Sequence, residues 1–348
     1  MKYRTLKSVL KSIAISVAIY LVASFVIVMI LYEGIFSRVE EYEYNSFITY
    51  EDMLDYSPSE ITFVSRDFNL SGVFYETGTS DKVVIFGHGK GGSGEDMLPE
   101  ARYFLDNGYS ALVFDYTGCG KSGGSSQVGF QQPVYCFIDA VKYVQSIGYN
   151  NIFLYGYGVG GYAAAACADI EGVKAVASIA SFSTVQDMTL EYAASNMGIF
   201  GYLEYPVMLL YQFLVYGEDI NDNAVQGINN STVPIFIVNG TDDKTILYNG
   251  AALINSKNKI TNPAVMYKTI ENGRHGSLMR SENANTLLDK FNEEAYELYN
   301  SYSGNVPVSE IEKFYSSYSR EDMSELNLAV MGEILDLFNS ADLNGSSM

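Results

Sequence analysis

Residues Ile152 to Ala166 read IFLYGYGVGGYAAAA: an apolar and aromatic run, a cluster of glycines, then alanines. Such a pattern is a buried strand, a tight turn and the opening of a helix. Two chemistries use this arrangement. A G-x-G-x-x-G turn brings a dinucleotide pyrophosphate onto a helix N-terminus, whereas a strand-to-helix elbow lifts a nucleophilic side chain clear of a sheet. Gly156, Gly158 and Gly161 fit the first pattern. The second needs a nucleophile where Gly158 stands.

Outward from the turn, short apolar runs alternate with helical stretches. KVVIFGHG, SALVFDY, VKAVASIAS, PIFIVNG and AVMYKTIENG each end in turn residues, and ITFVSRDFNLSGVFYETG, from Ile61, reads as a hairpin. Helical stretches at Glu95 to Asp106 and Pro133 to Ser146 separate strands. The alternation predicts an α/β fold, a mostly parallel sheet with helices on both faces that binds ligands at the strand ends. Ser181 to Asn230 is too long for a simple crossover, so a helical cap is expected at about 184–230, between strands six and seven. Ser281 to Tyr299 reads as a helix and Val308 to Ala341 as one or two more, packed on the body through residues such as Met331, Ile334 and Phe338.

Ahead of the body, Ser12 to Tyr32 carries no charge over 21 residues. At about 1.5 Å per residue this crosses a hydrocarbon core of about 30 Å. Lys2, Arg4, Lys7 and Lys11 precede it and Glu33, Glu40, Glu41 and Glu43 follow it, so the positive-inside rule puts the N-terminus in the cytoplasm and the body outside. A cleaved signal peptide would have a shorter apolar region and a small-residue cleavage site, which Phe25 to Tyr32 does not offer. The expected organisation is a cytoplasmic basic tail at 1–11, a single-pass transmembrane anchor at 12–32, an acidic tyrosine-rich stem at 33–60, the main domain at 61–299 and a C-terminal helical extension at 300–348.

The chain has a formal charge of −20; the first 32 residues hold four of its 21 cations and no acid, which leaves 17 cations against 41 acids beyond them, or −24. Such a body disfavours nucleic acid and anionic headgroups as partners. Three cysteines and two histidines form no disulfide framework and no metal-ligand spacing, so no metal or cofactor is expected. Nothing in the sequence specifies an oligomeric state.

The nucleotide reading has a second match, because GHGKGG fits the fingerprint through Gly87, Gly89 and Gly92, and Asp115 ends the following strand near where an acid would grip a ribose. Against it, the fingerprint normally opens a fold, and here a hairpin comes first. A nucleotide-dependent oxidoreductase is thus the remote alternative. GCGKS at Gly118 to Ser122 lacks the leading glycine of a phosphate loop, since Asp115 stands there.

Taken as a set, FGHGKGG, DYTGCGKSGG, GYGVGG, GTDDK and GRHG follow successive strands in one order. From about Ile61 to Tyr299 the chain resembles the α/β-hydrolase superfamily, and within its serine-hydrolase branch the membrane-associated, Bem46-like and serine-aminopeptidase-like proteins. The resemblance implies a nucleophile position at Gly158, an acid at Asp243, with Asp242 as its neighbour, and a base at His275. It places the oxyanion hole at the backbone N–H groups of Lys90 and Val159, and makes His88 a loop-orienting residue. Asp115 and Ser122 would shape the adjoining turn, and Lys121 would be a rim charge.

Glycine cannot form an acyl-enzyme, yet it relieves the backbone strain that the elbow imposes. The expected function is a membrane-anchored protein descended from an ester or amide hydrolase, disarmed at Gly158 and binding a small acyl or peptide-like ligand. A weakly active hydrolase is the alternative, with His275 and Asp243 activating a water in the space a serine would fill. The greasy stretch from Phe200 to Leu214 reads either as a lid facing acyl chains or lipid, or as a helix buried over the sheet.

Overall fold

The computed structural model describes residues 2–78 and 81–345, so the expected tail is seen from residue 2 and the expected extension to residue 345. Eight strands form one sheet: β1 (Pro58–Ser65), β2 (Phe68–Tyr75), β3 (Lys82–Gly87), β4 (Ser110–Phe114), β5 (Asn151–Tyr157), β6 (Val173–Ile179), β7 (Ile235–Gly240) and β8 (Val265–Ile270). Their order is β1-β2-β4-β3-β5-β6-β7-β8. The β1–β2 hairpin is antiparallel, β2 meets β4 antiparallel, and every later pair is parallel. This is the α/β-hydrolase fold. All of β4 and all of β7 are buried, which is why their sequences run apolar without alternation.

From β3 the chain steps to β4 on one side and then crosses back to β5 on the other. That reversal opens a crevice beyond the carboxyl ends of β3 and β5, where ligands settle in open α/β sheets. Helices α3 (Gln132–Ser146) and α4 (Val159–Ala166) cover one face through residues such as Phe137, Val141 and Tyr162. On the other face lie α2 (Leu98–Asp106) and the last helix, α11 (Leu328–Gly345), meeting through Phe104 and Phe338. Three helices fill the interval before α11: α8 (Glu282–Ser301), α9 (Val308–Ser316) and α10 (Arg320–Met323).

The C-terminal segment is therefore not an appendage. Val330, Met331, Ile334, Leu337 and Phe338 belong to the core, while Leu328, at the start of α11, stays exposed. The N-terminal boundaries also shift. Tail and anchor are one helix, α1 (Lys2–Ile35), of which Leu6–Ile35 is long and apolar enough to cross a membrane.

The expected stem lies against the body as a strap. Arg38 donates to the carbonyls of Gly120, Ser122 and Gly124 at 2.5–2.9 Å, and Val39 and the 118–120 loop exchange two backbone bonds. Further along, Ile48 and Met53 are fully buried. Isolated anchors of this kind leave no periodicity, so a strap and a free stem look alike in sequence.

The cap consists of α5 (Val185–Met197), α6 (Ile199–Tyr216) and α7 (Ala224–Asn230), between β6 and β7 as expected. Instead of lying over the sheet, α6 stands beside α1. Its Tyr211 ring packs on Phe25 and Tyr32, and Gln212 bonds both Tyr32 and Thr189. Gly201 permits this cap to close, because any Cβ there would strike the Ala193 backbone of α5.

Candidate active site

Gly158 sits between β5 and α4 with φ 58° and ψ −117°. Its N–H donates to the Ile179 carbonyl at 2.9 Å and its own carbonyl accepts from Tyr162 at 3.1 Å, so neighbouring strand and helix hold the turn. A positive φ of this size favours glycine. A Cβ built on Gly158 would lie 3.6 Å from His275 Nε2 and 3.8 Å from Gly89 Cα, which is ordinary contact. Space for a side chain exists, and it faces the imidazole.

His275 follows β8 and Asp243 follows β7, so two turns 32 residues apart in sequence converge on the elbow. His275 Nδ1 lies 2.7 Å from Asp243 Oδ2. The other carboxylate oxygen, Oδ1, accepts the N–H groups of Thr245 and Ile246, both at 2.8 Å. The Asp243 side chain is fully buried and its orientation is fixed from both sides. Such an acid holds the imidazole with its Nδ1 proton inward, which leaves Nε2 free to accept one from the Gly158 side. Asp242, by contrast, is half exposed and pairs with Lys244 at 2.5 Å. The geometry thus brings Asp243 and not Asp242 to the histidine.

Gly89 and Lys90, after β3, lie across the elbow from His275 and line the same cavity as Gly158 and Val159. Burial lowers the Lys90 ammonium below its ordinary value, and Nζ sits 5.5 Å over the Phe36 ring at the end of α1. His88 takes no part in that cavity. Its ring stacks on Tyr116 at 3.9 Å, Nδ1–H donates to the Gly89 carbonyl at 2.8 Å, and Nε2 accepts the Tyr116 N–H at 3.2 Å. Burial pushes its pKa down to about 4. A neutral imidazole that bonds a backbone group at each nitrogen is a brace for the loop.

The remaining sequence-predicted residues form the turn beside it. Asp115 accepts from Gly94 at 2.8 Å and Lys121 at 2.9 Å, and burial raises its carboxyl. Ser122 Oγ donates to the Asp115 carbonyl at 2.6 Å and accepts from Ser71, while Lys121 reaches Glu41 and Glu60 at the rim.

The cavity measures about 540 Å³ and has two unlike ends. One is apolar, walled by Phe130, Phe182, Met188 and Tyr192. The other is polar and was not legible in the sequence. There Arg280 donates to Glu100 at 2.7 Å, both buried, and Phe47 of the strap covers the guanidinium at 4.6 Å. Nearby Asp96 is pushed up to about 6 by burial. Glu100 and Arg280 are 180 residues apart, and no local motif announces such a pair.

A family model described as serine aminopeptidase, S33, matches residues 78–200, from the end of the hairpin into the cap. The uncharacterized protein YfhR of Escherichia coli O157:H7 is 23% identical over 270 residues, which covers 71% of this chain and 88% of that one. Among solved structures, the Pyrococcus furiosus esterase Pf2001 aligns with a TM-score of 0.54 at 20% identity, over 76% of this chain and 98% of its own. An alpha-beta hydrolase from Vibrio vulnificus aligns with a TM-score of 0.52 at 18% identity, over 77% and 92%.

Proposed function

We propose that this chain, which has the α/β-hydrolase fold, belongs to that superfamily as a disarmed esterase-like protein that binds a small acyl ester, amide or peptide-like ligand where catalysis would occur. The observation that supports this reading is Gly158: it stands at the elbow without a side chain, while His275, bonded to Asp243, faces the place a nucleophile would take. In a serine protease, loss of the nucleophile alone costs about 10⁶ in turnover and leaves roughly 10³ to 10⁴ over water. Binding survives such a loss, because the cavity and its donors remain.

The backbone N–H groups of Lys90 and Val159 would hold the ligand's carbonyl oxygen, as an oxyanion hole does. His275 would donate or accept one hydrogen bond there, with Asp243 fixing its tautomer. The protein would work at a membrane, anchored through α1 with its N-terminus cytoplasmic and its body outside, an arrangement supported by the cations before the apolar span and the acids after it.

A second reading has its own support. His275 Nε2 faces the space left by the missing side chain, so a water held there would be positioned for general-base attack. The test is the full-length protein against its Gly158→Ser variant, with short-chain acyl esters and a serine-directed phosphonate. We expect the variant to take the label and to hydrolyse ester at least about 10³-fold faster, and both to vanish in Gly158→Ser/His275→Ala. Turnover by the natural protein that His275→Ala removes would favour the water route, and an unlabelled Gly158→Ser protein would overturn the disarmed-hydrolase reading.

A further inference from the structure

Between Glu191 and Glu218 the sequence carries a single charged side chain, Glu204. In the fold this stretch is the end of α5, the turn at Gly198 and all of α6. Glu204 faces α1: Ser24 and Tyr20 both donate to its carboxylate. Eight residues on, Gln212 donates to Tyr32. The pairs 24–204 and 32–212 keep one offset, so α1 and α6 run parallel and in register.

Register fixes depth. Ser24 lies about 12 Å along the helix from Tyr32, at about 1.5 Å per residue, and α6 begins five residues before Glu204. If α1 crosses a bilayer, the Gly198 turn descends beside it into the hydrocarbon. The surfaces agree with that placement. Ser24, Val28 and Tyr32 are buried against the cap, whereas Phe200, Leu203 and Leu214 of α6 are 65%, 57% and 64% exposed and continue the apolar band of α1. An acid at that depth is tolerated when it faces protein partners, as Glu204 does.

Between α1, α5 and α6 lies a second cavity of about 280 Å³, lined chiefly by apolar groups including Ile35, Ala193, Met197 and Met208. Phe130 and Tyr192 line both it and the apolar end of the active-site cavity. We infer that the α5–α6 hairpin is a re-entrant membrane element and that the cavity beside α1 is a lateral portal through which the acyl chain of a bilayer lipid reaches the site. The inference rests on the proposed function for the chemistry at the far end, and on α1 as a membrane helix. It adds the source of the ligand: a chain drawn sideways out of the bilayer, with its carbonyl delivered to His275.

The experiment uses full-length protein in phosphatidylcholine vesicles doped with a phosphatidylcholine that carries a diazirine at the end of one acyl chain. On illumination we expect adducts at Tyr192, Met197 or Met208, and a loss of at least about fivefold in Ala193→Phe and in Asn196→Trp, which fill the portal from different sides. Adducts confined to the outward residues of α1 and α6 and indifferent to both substitutions would overturn the portal, as would the absence of any adduct on α5 or α6. In the Gly158→Ser background, a hexadecyl phosphonate should label at least about tenfold faster than an ethyl one, the equivalent of two or more buried methylenes. Equal rates would overturn the portal while leaving the proposed function standing. Labelling by neither phosphonate would fault the proposed function, and the photoadducts would still decide the portal.

Discussion

A serine at position 158 would have to be held at φ 58°, where a side chain is strained by about 1–3 kcal/mol. We therefore expect Gly158→Ser to lower the thermal midpoint while it restores reactivity; an unchanged or higher midpoint would mean that the elbow stores no strain. Two other residues set the response to acid. Unfolding lets His88 protonate near its ordinary 6.5, whereas the folded ring stays neutral down to about 4. Its contribution is present above pH 6.5 and is lost as pH falls toward 4. Asp96 acts oppositely: its folded carboxyl titrates at about 6 rather than 3.8, so its contribution is present below pH 4 and is lost as pH rises through 6. A tenfold difference in proton affinity between folded and unfolded chain is worth about 1.4 kcal/mol. Across pH 4–6 the two offset each other. Urea midpoints of the full-length protein should thus fall more steeply with acid in Asp96→Asn and less steeply in His88→Gln. Parallel pH profiles for all three proteins would contradict this account.

Among the elements, those with a short-range signature were readable in the sequence and those made by distant partners were not. Every expected strand is present, because a buried parallel strand is a local apolar run that ends in a turn. Gly158, Asp243 and His275 were named from a resemblance carried by short motifs that follow strands, and the turns after β5, β7 and β8 bring the three together. Glu100 with Arg280, the strap at Ile48 and Met53, and the posture of α6 depend on residues far away in sequence. For α6 in particular, an apolar stretch is equally a buried helix and a lipid-facing one, and its pairing with α1 is made by residues about 180 positions away. That posture is testable by labelling, since all three native cysteines are buried and unpaired. In vesicles, Phe200→Cys should resist a water-soluble maleimide while Leu54→Cys on the strap reacts, and detergent should erase the difference. Reaction at both sites in vesicles would put the hairpin in water.

For the whole molecule, α1 is part of the packing. Val28, Tyr32 and Phe36 are buried against the body. A fragment that begins at residue 37 exposes that face of the cap. We expect it to self-associate despite its acidity and to disperse in detergent; a monodisperse fragment in plain buffer, seen by light scattering, would show that α1 covers nothing that matters. The space beside Gly158 has a different kind of consequence. A glycine codon that ends in a pyrimidine becomes a serine codon by a single base change, and the elbow already has room for the new side chain. On the proposed reading an armed enzyme is then a recurrent mutant of this protein, so the fate of such mutants in a growing population reports whether the lack of a nucleophile is itself under selection.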